Sequence, residues 1–227
     1  MNRYKGFPSL LNLTLVFSVV LAALSPALAS LARAFDSPDS GYSAQNHAPL
    51  ASPIIDGVVD AEYGPPIASD PADAPQGNLP MDLLDLYITD DADYFYFAYT
   101  VNVDIAATNW GKYLFYIDTT NDANGATSDA WGRNVVVTDP HKPEFSINTW
   151  VDAQPYGTED IQFWSWNQGT TSWTGPTTIT AAALGTGTPS TIEWQVTNAD
   201  LGIPSTIWVE VYSTGGGGGD NAQDTIN

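Results

Sequence analysis

The sequence predicts an all-β fold: an antiparallel β-sandwich with jelly-roll or immunoglobulin-like layering and at most one or two short helical turns. Three observations predict it. Apolar and polar residues alternate at period two across residues 84–89, as in a strand with one buried face. Short runs rich in β-branched and aromatic residues then recur, each bounded by Gly, Pro, Asn or Asp, the spacing of a sandwich or barrel. Only residues 198–202 read as a helical turn inside the domain, capped by Asn198 and ended by Gly202.

The elements follow in order. Residues 54–64 give a short strand, an Asp-Gly turn at Asp56-Gly57 and a brief helical or extended turn. The proline-rich stretch 65–80 reads as a surface loop across one end of the sheet. Leu84, Leu86 and Ile88 then line one face of a strand, and Asp90, Asp91 and Asp93 make an acidic turn. Residues 94–103 are apolar on both faces, as in a central strand paired to the first in a hairpin. Residues 113–117 form a further strand, and more are expected at 134–138, 145–151, 161–166, 173–180, 192–197 and 207–214. Trp194 and Trp208 fall inside strand patterns and are expected in the core. The glycine run at 215–219 is read as a flexible tail or as a loop leading into further chain.

Arg3 and Lys5, an apolar stretch at 10–24 and Ala27-Leu28-Ala29 before Ser30 have the layout of a secretory signal peptide, residues 1–29. No second stretch is apolar enough to span a bilayer, so a secreted or cell-surface location is expected. Residues 30–53, rich in Ala, Ser, Pro and Asn without apolar periodicity, read as a flexible leader, with the binding domain over 54–227. The net charge is −20, and −22 without the first 29 residues. Such acidity opposes binding to nucleic acid or anionic lipid and suits cations and neutral partners. With no cysteine in the chain, stability must come from the core, from bound metal or from both.

Ile55-Asp56-Gly57 with Asp60, Glu62 and Tyr63, followed by the run from Asp85-Leu86-Tyr87-Ile88 through Asp90-Asp91 to Tyr94-Phe95-Tyr96-Phe97-Ala98, resembles the family 9 carbohydrate-binding modules. It is equally similar to the wider DOMON-like group, including the C-terminal binding module of glucodextranase-type enzymes. The resemblance implies a calcium-containing β-sandwich that serves a secreted or cell-surface glycosidase. The family's metal loop and sugar-stacking aromatics are matched here by residue type alone.

The metal candidates come from the oxygen-rich loop 118–129, where Asp118, Asp122, Asn124 and Asp129 offer the hard donors that calcium takes six to eight at a time. The loop echoes an EF-hand at Asp122-x-Asn124-Gly125 but lacks its closing bidentate Glu. The turn at Asp90, Asp91 and Asp93 and the group Asp220, Asn221 and Asp224 are further acidic candidates; an Asx-rich turn also satisfies its own backbone without an ion.

The ligand candidates are Trp164 and Trp166, two apart on one strand face, with Trp173 returning after a turn. Flat rings so placed can stack on the apolar C–H faces of successive sugar rings of a polysaccharide or oligosaccharide. Cross-strand packing is the alternative role for the same rings, and Trp110, Trp131 and Trp150 lie near loops. Paired carboxylates for glycoside hydrolysis would have to come from Glu144, Glu159, Glu193 and Glu210. No nucleophile elbow, metalloprotease His pair or phosphate loop is present, so a non-catalytic module is expected. Two other functions fit the residues: a cell-surface adhesion module whose acidic loops bridge calcium to partner chains, and a haem-binding domain, for which Met81, His47 and His141 are the available axial ligands.

Overall fold

In a computed structural model, the residues described are 41–44, 51–74, 77–108, 111–135, 137, 141–151, 161–179 and 181–226. The expected signal peptide, most of the leader, His47, Trp110 and Glu159 lie outside them. The strands in chain order are β1 (Tyr42–Ser43), β2 (Ala68–Ser69), β3 (Leu83–Asp90), β4 (Tyr94–Val101), β5 (Lys112–Asp118) and β6 (Phe145–Trp150). They continue as β7 (Ile161–Asn167), β8 (Ser172–Thr178), β9 (Ala182–Leu184), β10 (Ser190–Thr197), β11 (Thr206–Thr214) and β12 (Ala222–Ile226).

Two antiparallel sheets result, as the sequence predicts. The larger runs β1-β11-β5-β6-β7-β8, with β12 also paired to β11, and the smaller runs β2-β3-β4-β10-β9. Their inner faces share one core: Leu86, Phe95, Phe97, Tyr99 and Trp194 from the smaller sheet meet Tyr113, Phe115, Ile147 and Val211 from the larger. Trp194 sits at its centre, with Phe115 edge-on at 4.8 Å and Phe97 stacked at 5.8 Å. Both faces of β4 are covered. Phe95, Phe97 and Tyr99 point into the main core, while Tyr96 and Ala98 lie under Tyr63 on the other side.

Several elements depart from expectation. Leu83 is buried and Leu84 is not, because a register shift between Leu83 and Leu86 breaks the alternation at the start of β3. Residues 54–55 form no strand. At 134–138 the described residues hold only a bridge from Asn134 to Asn221. Tyr42 and Ser43, within the stretch read as leader, pair with Ile207 and Thr206. Residues 198–202 make a turn whose cap is Thr197, with its hydroxyl accepting from the Asp200 N–H at 3.0 Å. The Asn198 amide instead donates to the carbonyls of Asp91 and Ala92. The α-helical turn among the described residues is α1 (Ile105–Thr108), after Asp104, whose carboxylate accepts from the Ala106 N–H, and 3-10 turns form at Ala61–Tyr63 and Leu79–Met81.

The glycine run is not a tail but a loop leading into further chain. It turns β11 into β12, held by the Gly217 N–H on Asp220 at 2.7 Å and the Gly219 N–H on the Gly132 carbonyl at 3.0 Å. β12 then reaches the other sheet, where its Asp224 accepts from the Leu83 N–H at 2.8 Å.

Candidate functional site

Alternation along the larger sheet decides which side chains leave the core. With Tyr113, Phe115 and Ile147 inward, the outer face receives Lys112, Leu114 and Tyr116 from β5 and Ser146, Asn148 and Trp150 from β6. On β7, Phe163 faces in, so Gln162, Trp164 and Trp166 face out, and Trp173 of β8 pairs with Trp166. On β11, Ile207 faces in and Trp208 out. Of the seven tryptophans in the described residues, six are therefore on this outer side and only Trp194 is in the inner core. Trp208 was expected in the core; it is half-buried, with the His141 imidazole stacked on it at 5.4 Å.

The segment between β5 and β6 folds back over this face. Trp131 and Val135 pack on Leu114 and Tyr116, and Asp129 holds the return. Its Oδ1 accepts from the Tyr116 hydroxyl at 2.8 Å, and its Oδ2 accepts from the N–H groups of Trp131 and Arg133 at 2.8 and 3.0 Å. Asp129→Ala leaves three buried donors without this acceptor and should cost about 2–3 kcal/mol. The check is the chemical denaturation midpoint, together with loss of the Trp131 contribution to near-ultraviolet circular dichroism.

The rings are paired and partly open. Trp131 and Trp150 meet edge to face at 6.5 Å, and Trp150 is 46% exposed. Trp166 and Trp173 meet at 5.5 Å and 73°, so they form a corner and not the flat platform expected of them. The Trp166 indole N–H donates to Gln168 at 2.9 Å and that of Trp173 to the Ser128 carbonyl at 2.6 Å. Trp164, two residues along β7, is half-buried. Its indole N–H and the amide nitrogen of fully buried Asn148 find no protein partner, although buried donors are usually paired. Two cations lie over this face, Lys112 at 4.9 Å from the Trp150 ring and Arg133 at 5.9 Å from that of Trp131. Asn148, Gln162 and Ser146 were not singled out from sequence, although the period-two alternation of β6 and β7 places them beside the tryptophans.

The acidic loop after β5 is organised by its own backbone. Asp118 Oδ1 accepts from the N–H groups of Thr120 and Asn121, both at 2.9 Å, and its Oδ2 lies 3.3 Å from His141 Nδ1. Asp122 accepts from the Asn124 N–H at 2.6 Å. Asp118, Asp122 and Asp129 do not converge as a donor group, because each is drawn to a different turn. Asp91 behaves likewise, accepting from the N–H groups of Asp93 and Tyr94 and from the hydroxyls of Ser52 and Tyr96.

The carboxylates that do converge among the described residues are Asp70, Asp73 and Asp82, with ligand atoms all within 4.8 Å of one another. Asp82 is fully buried at the head of β3, where it accepts from the Asn102 amide at 2.7 Å and the Asp73 N–H at 3.2 Å. Asp70 Oδ2 is buried with no protein partner. Burial, then the neighbouring charges of Asp224, Asp73 and Asp82, pushes the Asp70 carboxyl up to about 6. Burial also raises Asp224. No cationic side chain compensates this cluster in the contacts described, and its donor set of hard oxygens with an orphaned one fits the calcium implied by the resemblance. Sequence reasoning missed it because Asp70 and Asp73 sit in a proline-rich loop, and only the fold carries them to Asp82.

The carboxylates considered for hydrolysis have other partners. Glu144 accepts from the Thr119 N–H at 2.7 Å and the Thr120 hydroxyl at 2.9 Å. Glu210 accepts from the Tyr212 hydroxyl at 2.7 Å, and Glu193 lies on the outer side of the other sheet. Met81 is buried in the 3-10 turn Leu79–Met81, while His141 is engaged with Asp118 and Trp208. No protein-family model matches this sequence, and no curated protein matches it.

Proposed function

We propose that this protein is a secreted, non-catalytic carbohydrate-binding module of the kind its sequence resembles, stabilised by calcium and acting on extracellular polysaccharide or oligosaccharide. The observation that carries the reading is the placement of six tryptophans on the outer side of one sheet. A sandwich that needed them only for packing would direct them inward, as it does Trp194. Polar side chains lie among and beneath them: the Gln162 amide, whose oxygen accepts from the Trp131 indole N–H, and the buried Ser146 hydroxyl and Asn148 amide, which bond to each other. Apolar ring faces combined with a few convergent polar groups are the general make-up of a sugar site. Calcium is assigned to Asp70, Asp73 and Asp82, away from the rings, where its role is to hold the loop before β3 against the sheet and not to touch the sugar.

The test is affinity electrophoresis against soluble cellulose, xylan, starch and mannan derivatives, with and without calcium. Retardation by at least one glycan is expected. Trp150→Ala and Trp166→Ala should each weaken it by roughly tenfold or more, the scale of an aromatic hot spot. Retention unaffected by both substitutions would defeat the outer-face assignment.

A further inference from the structure

A second concavity lies away from the tryptophans, where the two sheets part at the β8 edge. It encloses about 520 Å³, within the ~300–1,000 Å³ typical of small-molecule sites. The register explains why it is open. Ser165 and Phe163 face inward on β7 and pair with Thr174 and Thr177 of β8, so the inward positions of the edge strand carry hydroxyls where a closed sandwich would carry large apolar residues. At the same edge, Gly175 (φ 138°) accompanies a register shift between Phe163 and Ser165.

The lining is divided in kind. Phe145 and Phe163 supply a flat apolar wall, stacked at 5.6 Å and 11°, with Val196 and Ile179 beside it. Ser165, Thr174 and Thr177 supply hydroxyls on the same inner face of the larger sheet, with Ser165 directly opposite Phe145 in the register. The one ionisable carboxyl in the lining, Asp200, already accepts from the Thr197 hydroxyl at 2.7 Å. Among the described residues, no Lys, Arg or His lines the space. An anion would find no counter-charge there, and a purely apolar molecule would bury hydroxyls without partners. A neutral ring with one C–H face and several hydroxyls satisfies both kinds of lining group.

We propose that this inter-sheet cleft is a second binding site, for a neutral mono- or disaccharide unit, separate from the tryptophan face. The inference extends the carbohydrate reading to a different part of the molecule, and its test keeps the two apart. Thr174 and Thr177 are exposed, so Thr177→Trp fills the cleft without disturbing the core, and an unchanged melting temperature verifies this. Glucose, xylose, mannose, cellobiose and maltose are titrated by calorimetry and by saturation-transfer NMR into the wild type, Thr177→Trp, Trp150→Ala/Trp166→Ala and the triple variant. Wild type should show a binding event that survives in Trp150→Ala/Trp166→Ala and weakens at least tenfold in Thr177→Trp. Binding that disappears in the outer-face variant and is untouched by Thr177→Trp overturns the cleft and leaves the outer face standing. Binding of these small sugars lost only in Thr177→Trp supports the cleft, and the outer face is then judged by polymer retention in electrophoresis. No binding of any of the five sugars overturns the cleft, while retention of polymers in electrophoresis would still support the outer face. Uptake of the uncharged apolar dye Nile red, blocked by Thr177→Trp with no sugar bound, assigns the cleft to another chemistry and also overturns it.

Discussion

Glu193→Ala is expected to be among the most destabilising single substitutions in the protein, lowering stability by about 3 kcal/mol or more and the melting temperature by roughly 6–12 °C. Glu193 is fully buried on β10, directly opposite Ala98 of β4. Its Oε2 accepts from the N–H groups of Asp56 and Gly57 at 3.0 and 2.9 Å, and its Oε1 from the Tyr63 hydroxyl at 2.8 Å. Three donors would lose their acceptor at once, and the segment 55–63 that covers the outer side of the smaller sheet would lose its anchor. That segment is tightly seated: Gly57 has φ 86°, and a Cβ there would lie 2.7 Å from the Gly185 Cα. Burial pushes the Glu193 carboxyl up, against the opposing pull of the Gly57 N–H and the Tyr63 hydroxyl. Glu193→Gln keeps one carbonyl acceptor and should lose clearly less. Equal melting curves for Glu193→Ala and wild type would remove the anchor role.

The second large effect concerns calcium and pH together. In the metal-free protein the Asp70 carboxyl titrates at about 6, above the ordinary carboxylate value of 3.8, because burial and three neighbouring carboxylates disfavour its charge. A raised folded-state value means that the folded protein holds the proton more tightly than the unfolded chain. The stabilisation is complete below pH 3.8 and is lost as pH rises through about 6. In chelator, the melting temperature should therefore carry a component that falls across this window. On the proposed assignment calcium replaces the proton, so its stabilising effect should be smallest near pH 4 and largest above 6, reaching about 2.7 kcal/mol at a hundredfold excess over the dissociation constant. Asp70→Asn should flatten the metal-free profile and weaken the response to calcium, whereas Asp122→Asn should do neither. Differential scanning calorimetry from pH 4 to 8, with and without calcium, measures all of these. Superimposable curves in chelator and in calcium across that range would eliminate the metal from this cluster.

The strands were legible where a run of residues meets the same environment along its whole length. The hairpin of β3 and β4 and the strands β5, β6, β7, β8, β10 and β11 were readable because alternation and bounding turns are local. The burial of Trp194 was expected from its strand pattern, and the same period put Trp164 and Trp166 on one face without deciding whether that face was the core. Elements whose partner lies far away in the chain were not legible. β1, β2, β9 and β12 are short and polar or small in composition, and each exists because a neighbouring strand offers a free edge. Trp208 shows the limit within a strand: its pattern marks it as half of an alternation, but which half faces inward depends on β5 beside it.

The candidate metal site divides in the same way. A loop dense in Asp and Asn is visible in any sequence, yet in 118–129 the carboxylates are consumed by nearby N–H groups, since short side chains bond to the backbone closest to them. Asp70, Asp73 and Asp82 carry no such signal, because nothing in a linear spacing reports that a proline-rich loop folds back onto the head of a strand. The sequence by itself determined that this chain builds a two-sheet β fold, because period and turn chemistry act between near neighbours. Only the tertiary structure decided which acids converge, which rings meet, and where the sheets part, because those depend on contacts between residues that the chain order keeps apart.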